Sequence, residues 1–323
     1  MREGCITFVI PVLNEAEYIG ACIEAIWRLK LPPAVSKLEV VVVDSGSTDK
    51  TAEIAVGLGA HVLHVPRRTI SASRNEGARR AQGPWIAFVD ADCALPVDWL
   101  VLASKHWEDN ALAAFGTPVA RPPSGAPWVE RAWFHLGHPR HDGGWMEVDW
   151  LPSFNLLVRR EVFERVGRFD ESLRTCEDSD LGYRLRKAGR LVLDARCGTR
   201  HFRESKSVYE LYRREAWRGG GSWRGFLSHP FNLSELPSLV GPLVYVGLLI
   251  VAATAPMACI LRPSMFVVAA VALVLSQTLP LLFMVRHGTF RHAVVTWAQA
   301  WVLANIYFLA RGLSAFHSFS RQT

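Results

Sequence analysis

Neither GxGxxG nor GxxxxGK followed by Ser or Thr occurs in this chain of 323 residues. The glycine loops of a dinucleotide fold and of a P-loop are therefore both missing, and phosphate would have to be held another way. Cysteine is sparse: the six, at 5, 22, 93, 176, 197 and 259, form no CxxC pair and no zinc-like spacing. They read as reduced thiols of a cytoplasmic protein. Internal repeats, low-complexity tracts and nucleic-acid motifs are absent too. The net charge of +6 comes largely from arginines that flank apolar segments, so it points to anionic lipid headgroups before nucleic acid.

Charge of either sign is absent from 236–261 and again from 264–285. Each run is long enough for a hydrocarbon core, which needs about 20 apolar residues, and two in succession argue against buried core helices. A third candidate, 293–310, is shorter and carries Gln299 and Asn305, with Trp297, Trp301 and Tyr307 suited to a membrane interface. It either spans or lies on the surface. Residues 1–4 lead straight into a strand-like run, so no signal peptide is expected and the large domain should stay cytoplasmic. Arg213, Arg214, Arg218 and Arg224 before the first run, and Arg286 and Arg291 after the second, fit the positive-inside rule; Arg262 alone marks the outer loop. If the third segment spans, Arg311 and Arg321 end up outside. The expected organisation is a large cytoplasmic domain over 1–228 and a membrane region over 229–323, in a multi-pass protein of the inner cell membrane.

The first hundred residues alternate strand and helix signals: strands over 6–10, 40–43, 61–65 and 86–89, helices over 15–29, 48–56 and 71–81. This predicts an α/β fold, right-handed βαβ units with a mixed, mostly parallel sheet and flanking helices. Ligands in such folds sit outside the carboxyl ends of the strands. Those ends carry Pro11-Val12-Leu13-Asn14-Glu15, Asp44-Ser45-Gly46-Ser47-Thr48-Asp49, Arg67-Arg68 and Asp90-Ala91-Asp92. After Gly116 the pattern loosens, with 122–125 and 135–145 reading as loops; order returns over 150–159, in a helix from 161 and in another over 178–188.

Asp90 and Asp92 end an apolar run with one small residue between them, an arrangement that lets both carboxylates reach one hard divalent cation, Mn2+ or Mg2+. The same pair also suits a turn and helix cap before Leu95-Pro96. Arg74 precedes Asn75-Glu76-Gly77 on the helix before this strand and could face a diphosphate or only solvent. Asp44 can accept hydrogen bonds from a nucleobase or ribose, while Ser47 or Asp49 caps the following helix.

Together the segments 10–15, 43–51, Arg74-Asn75 and Asp90-Ala91-Asp92 resemble family 2 glycosyltransferases of the GT-A fold. The likeness continues through 153–160, 167–171 and 177–181, and covers roughly 5–225. It implies that Pro11, Val12, Asn14, Glu15, Asp44, Ser47, Arg74 and Asp90 serve the donor nucleotide, that Asp92, with Asp90 and His201, holds the metal, and that Asp178 or Glu177 is the catalytic base. By the same resemblance Trp150 and Asn155 sit on the acceptor side. A carboxylate at a helix start is favoured in its ionised form by the amino-terminal dipole, as a base requires; it could equally be a first-turn cap.

Two departures narrow the expectation. The Gln-x-x-Arg-Trp element of processive synthases is not reproduced by Arg213-Arg214-Glu215-Ala216-Trp217, so a single transfer is expected. Transfer to polyprenyl phosphate needs no strong base, and the Glu177-Asp178 pair favours a hydroxyl acceptor. The expected reaction moves one sugar, with inversion, from a nucleotide sugar, a UDP-sugar first, to a lipid or lipid-linked acceptor in envelope polysaccharide or glycolipid synthesis. The rivals are a polyprenyl-phosphate sugar transferase, a membrane scaffold that binds nucleotide sugar without turnover, and a sugar-1-phosphate nucleotidyltransferase. A helix over 205–218 with Arg213, Arg214 and Arg218 beside Val208, Leu211 and Tyr212 is expected to rest on the bilayer.

Overall fold

The computed structural model of the chain describes residues 4–137, 143–173, 175–228, 236–260, 262–288 and 294–320. The strands in order are β1 (Cys5–Val12), β2 (Lys37–Asp44), β3 (His61–His64), β4 (Trp85–Val89), β5 (Cys93–Ala94), β6 (Leu112–Gly116), β7 (Trp145–Glu147), β8 (Asn155–Arg159), β9 (Arg190–Asp194) and β10 (Arg200–His201). The helices are α1 (Ile19–Trp27), α2 (Thr51–Gly57), α3 (Ile70–Arg80), α4 (Trp99–Ser104), α5 (Trp128–Gly137), α6 (Arg160–Arg165), α7 (Glu177–Ala188), α8 (Val208–Ser228), α9 (Leu236–Thr254), α10 (Met265–Arg286) and α11 (Val294–Ser320). They group into two compact units. Met1–Arg121 with His141–Arg203 form the first, and Pro122–Arg140 with Glu204–Thr323 the second.

In the first unit eight strands form one sheet in the order β3-β2-β1-β4-β8-β6-β9-β7. β1 lies parallel between β2 and β4, β8 runs antiparallel between β4 and β6, and β9 returns parallel to β6. Both faces of the central strands are covered, which is why β4 is apolar without interruption and β1 is broken only by the buried Thr7, whose hydroxyl is bonded to Glu39. Alternate side chains feed two cores. Ile6, Phe8, Ile10 and Val12 pack with Ile19, Cys22, Ile23 and Ile26 of α1. On the other face Val9, Val43, Ile86 and Phe88 join Ala78 of α3, Phe163 of α6 and Leu181 of α7. The sheet therefore fixes the ends of β1, β2 and β4 side by side, where the polar loops begin.

The irregular middle of the chain holds more order than its sequence suggests. Residues 135–137, expected as loop, are the last turn of α5, because Val129, Ala132, Trp133 and Leu136 repeat at helical spacing and are buried. Residues 138–142 of that expected loop lie outside the described residues. In the second unit this α5 face meets Leu211 of α8, Tyr245 and Val246 of α9, Met284 of α10, and Ala300, Leu303, Ala304, Tyr307 and Phe308 of α11.

α3 lies against β1 so closely that a Cβ added at Gly77 would stand 2.3 Å from Val9 Cγ1 and 3.0 Å from Val43 Cγ2. That approach sets how deep Arg74, one turn earlier, is sunk. Gly77→Ala gains helix propensity but overpacks the sheet, and should cost about 1–3 kcal/mol, read as a lower melting temperature of the detergent-solubilised chain. Adding Val9→Ala should recover part of the loss. An unchanged melting temperature in the single variant would refute the close-packing account.

Candidate active site

Two loops at the ends of β1 and β2 are stapled to each other. Asn14, with φ +57, donates its backbone N–H to Ser47 Oγ at 2.9 Å and accepts the Thr48 N–H at 2.8 Å on its side-chain oxygen. The Glu15 N–H reaches Thr51 Oγ1 at 2.8 Å and the Ala16 N–H reaches Asp49 at 3.1 Å. Asp49 also accepts the Thr51 N–H at 3.0 Å, satisfying the first amide of α2 from one residue before its N-cap, Lys50. Ser47 thus ties the loops together, while Pro11 and Val12 lie buried in β1 beneath them. Asp44 at the end of β2 is almost wholly buried; one oxygen accepts the Ser47 N–H at 2.8 Å and the other lies 3.3 Å from His64 Nδ1. Ser45 meets Ser73 of α3 through a 2.8 Å hydroxyl pair, which connects the β2 loop to the residue before Arg74.

Arg74 is the centre of the site. Only 2% of its side chain is exposed, yet it donates to Asp90 Oδ1 at 2.8 Å and to Glu177 Oε1 at 3.1 Å, and Asp178 Oδ1 stands 3.8 Å away. Its guanidinium lies 5.3 Å from the Phe169 ring centroid. Burial alone would lower its pKa; the Asp90, Asp178 and Glu177 carboxylates outweigh that and hold it above the usual arginine value. The alternative of a solvated helix face for Arg74 is excluded by this burial. The neighbouring Asn75 locks the same region by bonding the Phe169 carbonyl at 2.9 Å and accepting the Phe169 N–H at 3.1 Å.

The two acids that open α7 differ in their contacts. Glu177, 13% exposed, faces Arg74, and burial pushes its pKa up to about 7. Asp178 is more open, at 28%, and accepts a hydrogen bond from the buried Ser153 hydroxyl. Burial raises its pKa as well, against the lowering effect of Arg74 and Ser153. A carboxylate whose proton affinity is raised, yet which keeps exposed surface, suits a general base.

Asp92 is brought to His201 by the short pairing of β5 with β10, where Cys93 lies opposite His201 and the Phe202 N–H donates to the Asp92 carbonyl at 2.8 Å. Asp92 Oδ1 and His201 Nε2 are 3.8 Å apart, too far for a hydrogen bond. That spacing lets both atoms bind one first-row cation at about 2.1 Å each. Asp92, Cys93 and His201 form a compact group of possible ligands. Burial raises the Asp92 pKa, so its negative charge is poorly solvated and would be relieved by a cation. These residues fit a divalent ion.

Trp150 is half exposed and beside α7: a Cβ at Gly182 would lie 2.4 Å from Trp150 Cβ. Asn155 is placed differently from the acceptor side expected for it. It is fully buried, and its amide is taken up by the Thr117 N–H at 2.7 Å and the Thr117 carbonyl at 2.9 Å. Arg203 was not singled out from sequence. Its guanidinium pairs with both oxygens of Glu15, lies 3.9 Å from Asp92 Oδ2 and covers the Tyr18 ring at 5.1 Å. Its one legible signal was its position two residues after His201, in the turn that follows β10.

A raised carboxyl pKa makes stability pH-dependent. The folded chain holds the Glu177 proton more tightly than the unfolded chain, so this contribution is complete below about 4.5 and is lost as pH rises through about 7. Glu177→Gln should therefore flatten the decline in melting temperature across that window. An unaltered slope would show that Glu177 is not the group responsible.

A family model described as glycosyl transferase family 2 matches residues 7–167. The succinoglycan biosynthesis protein ExoA of Rhizobium meliloti is 32% identical over 267 residues, spanning 75% of this chain and 77% of that protein. The pre-mycofactocin glycosyltransferase of Mycobacterium tuberculosis is 29% identical over 245 residues, 72% of this chain but 49% of its own length. A solved mannosyltransferase from Pyrobaculum calidifontis, PcManGT, in complex with GDP-Man and Mn2+, superposes with a TM-score of 0.61 at 19% identity, covering 98% of this chain and 88% of that one. That likeness is one of fold. The sheet order, the carboxylates at its strand ends and these relatives agree: the chain belongs to glycosyl transferase family 2 and is a glycosyltransferase built on the GT-A fold.

Proposed function

We propose that the chain is an inverting, metal-dependent glycosyltransferase that moves one sugar from a nucleotide donor, with UDP-sugars first among candidates, to a hydroxyl of a lipid or lipid-linked acceptor. The observation that carries this reading is the Arg74 bridge. One guanidinium joins Asp90, beside the Asp92 and His201 pair, to the Glu177 and Asp178 pair at the start of α7. A diphosphate side and a base side are thus set by one buried group.

A divalent cation held by Asp92 and His201, with Asp90 beside them, would neutralise charge developing on the leaving diphosphate. Asn14, Glu15, Ser47 and Asp44 line the loops that would receive the nucleoside, with Pro11 and Val12 fixing where those loops start. Asp178 takes the proton of the acceptor hydroxyl as the glycosidic bond forms, with Ser153 orienting its carboxylate; attack opposite the departing diphosphate inverts the anomeric carbon. Glu177 holds Arg74, and Trp150 offers an apolar face beside Asp178 to an acceptor sugar. The R. meliloti relative's part in succinoglycan synthesis and the Mn2+ and GDP-Man of the P. calidifontis enzyme favour a polysaccharide-type acceptor and a cation.

Leu236–Met257 and Met265–Arg286 are each long and apolar enough to cross a bilayer, and their exposed Phe266, Val267, Val274 and Leu282 suit lipid. We read α11 as staying on the side of α8. Arg311 of α11 donates at 2.9 Å to Glu215 of α8, a carboxylate with no exposure that Arg218 also holds at 2.9 Å. A Cβ at Gly219 would meet Ser314 Oγ at 2.3 Å. After two crossings α8 and the end of α10 face the same compartment, and Arg311 is tied there.

Asp178→Asn should lower kcat by about 10²–10⁴-fold while leaving donor binding within about twofold. Loss of donor binding instead would remove Asp178 from the base role, and a silent substitution with a phosphate acceptor would favour the polyprenyl-phosphate reading. A phosphatase reporter fused after Thr323, active only outside the cytoplasm, should be inactive; an active fusion would mean that α11 crosses.

A further inference from the structure

Five carboxylates, Glu15, Asp90, Asp92, Glu177 and Asp178, meet two guanidiniums in this site. The two cations differ in kind. Arg74 is sealed in and bonded on two sides, so it cannot leave without stranding buried charge. Arg203 is 52% exposed, sits in the turn after the two-residue strand β10 and rests on the Tyr18 face, itself stacked on Phe202 at 6.1 Å. It lowers the energy of two buried carboxylates, Glu15 and Asp92, whose pKa values burial would otherwise raise further. Its contact with Asp92 is at 3.9 Å, short enough for Coulomb attraction and too long for a hydrogen bond.

We propose that Arg203 is an exchangeable counterion, holding Glu15 and Asp92 together before the divalent cation binds and turning to the donor diphosphate once it has. The proposal rests on the assignment of Asp92 and His201 to the cation. Asp92 faces His201 through Oδ1 and Arg203 through Oδ2, so an ion entering between Asp92 and His201 shares the Asp92 carboxylate with a positive guanidinium 3.9 Å from its other oxygen. The guanidinium and the ion compete for one carboxylate. The donor removes the conflict, because its diphosphate brings the negative charge that a planar, bidentate guanidinium matches best. Arg203 remains tethered through Tyr18 while it turns, since the stack constrains the side chain without neutralising it.

This makes opposite predictions for two ligands. In the full detergent-solubilised chain, Arg203→Gln should bind Mn2+ alone more tightly, by about threefold as expected for loss of a partly exposed competing charge. The same variant should bind UDP or GDP in the presence of Mn2+ about tenfold or more weakly, through loss of a charge-assisted contact. Arg203→Lys keeps the charge but not the fork, so it should retain wild-type Mn2+ binding and lose part of the nucleoside diphosphate affinity. Mn2+ binding is read by electron paramagnetic resonance of the free ion and nucleotide binding by calorimetry. If both variants leave both affinities unchanged, or Arg203→Gln weakens Mn2+ alone, Arg203 is a structural tether and the proposal falls. Asp92→Ala run in parallel separates the two levels: lost Mn2+ binding there, with Arg203→Gln unchanged, overturns this proposal only, whereas retained Mn2+ binding overturns the cation assignment as well.

Discussion

A guanidinium removed from water must be answered by carboxylates, and the answer to Arg74 comes from both ends of the fold's catalytic unit. Asp90 reaches it from the end of β4, and Glu177 from the start of α7, 103 residues further along the chain than Arg74 itself. Removing either partner from such a buried group typically costs about 3–5 kcal/mol. The strand end carrying Asp90 and the helix start carrying Glu177 and Asp178 therefore have little freedom relative to each other. Phe169 and Asn75 close the back of the same arrangement, so the depth of α3 against β1 becomes a constraint on the chemistry.

How much of this was legible follows from the range of the interactions. β1, β2 and β4 were readable because both-face burial writes apolar runs into 8–12, 40–43 and 85–89, and Asp44 and Asp90 stood out as the first polar residues after two of them. α5 was not readable, since its flanks are rich in proline and glycine and its buried stripe of Val129, Ala132, Trp133 and Leu136 is short. The different contacts of Glu177 and Asp178 were invisible because they depend on Arg74 and Ser153, both far away in sequence. Arg203 was missed for the same reason: its partner Glu15 is 188 residues distant. Asn155 sits one pair from the site, yet its amide serves the backbone at Thr117, a bond between strands that local sequence cannot announce.

The second unit follows a different economy of charge. α9 and α10 expose large apolar side chains along their length, whereas the face of α11 at Ala300, Leu303, Ala304 and Phe308 is buried against other helices. Glu215 binds Arg218 within α8 and Arg311 from α11, a charge group held at one level of the helix assembly. Tyr245 and Asn305 add a 2.7 Å hydrogen bond between α9 and α11. Polar pairing, more than apolar length, sets α11 apart from the two helices before it.

The central claim is that this site cleaves a nucleotide sugar with the help of a divalent cation held at Asp92 and His201. It is tested most directly by following nucleoside diphosphate release from UDP-, GDP- and dTDP-sugars by the purified chain with membrane lipids supplied, first in Mn2+, then after EDTA, then with Mn2+ restored. The account predicts release from one donor class that stops on chelation and returns with the metal. Release that continues undiminished in EDTA would contradict it.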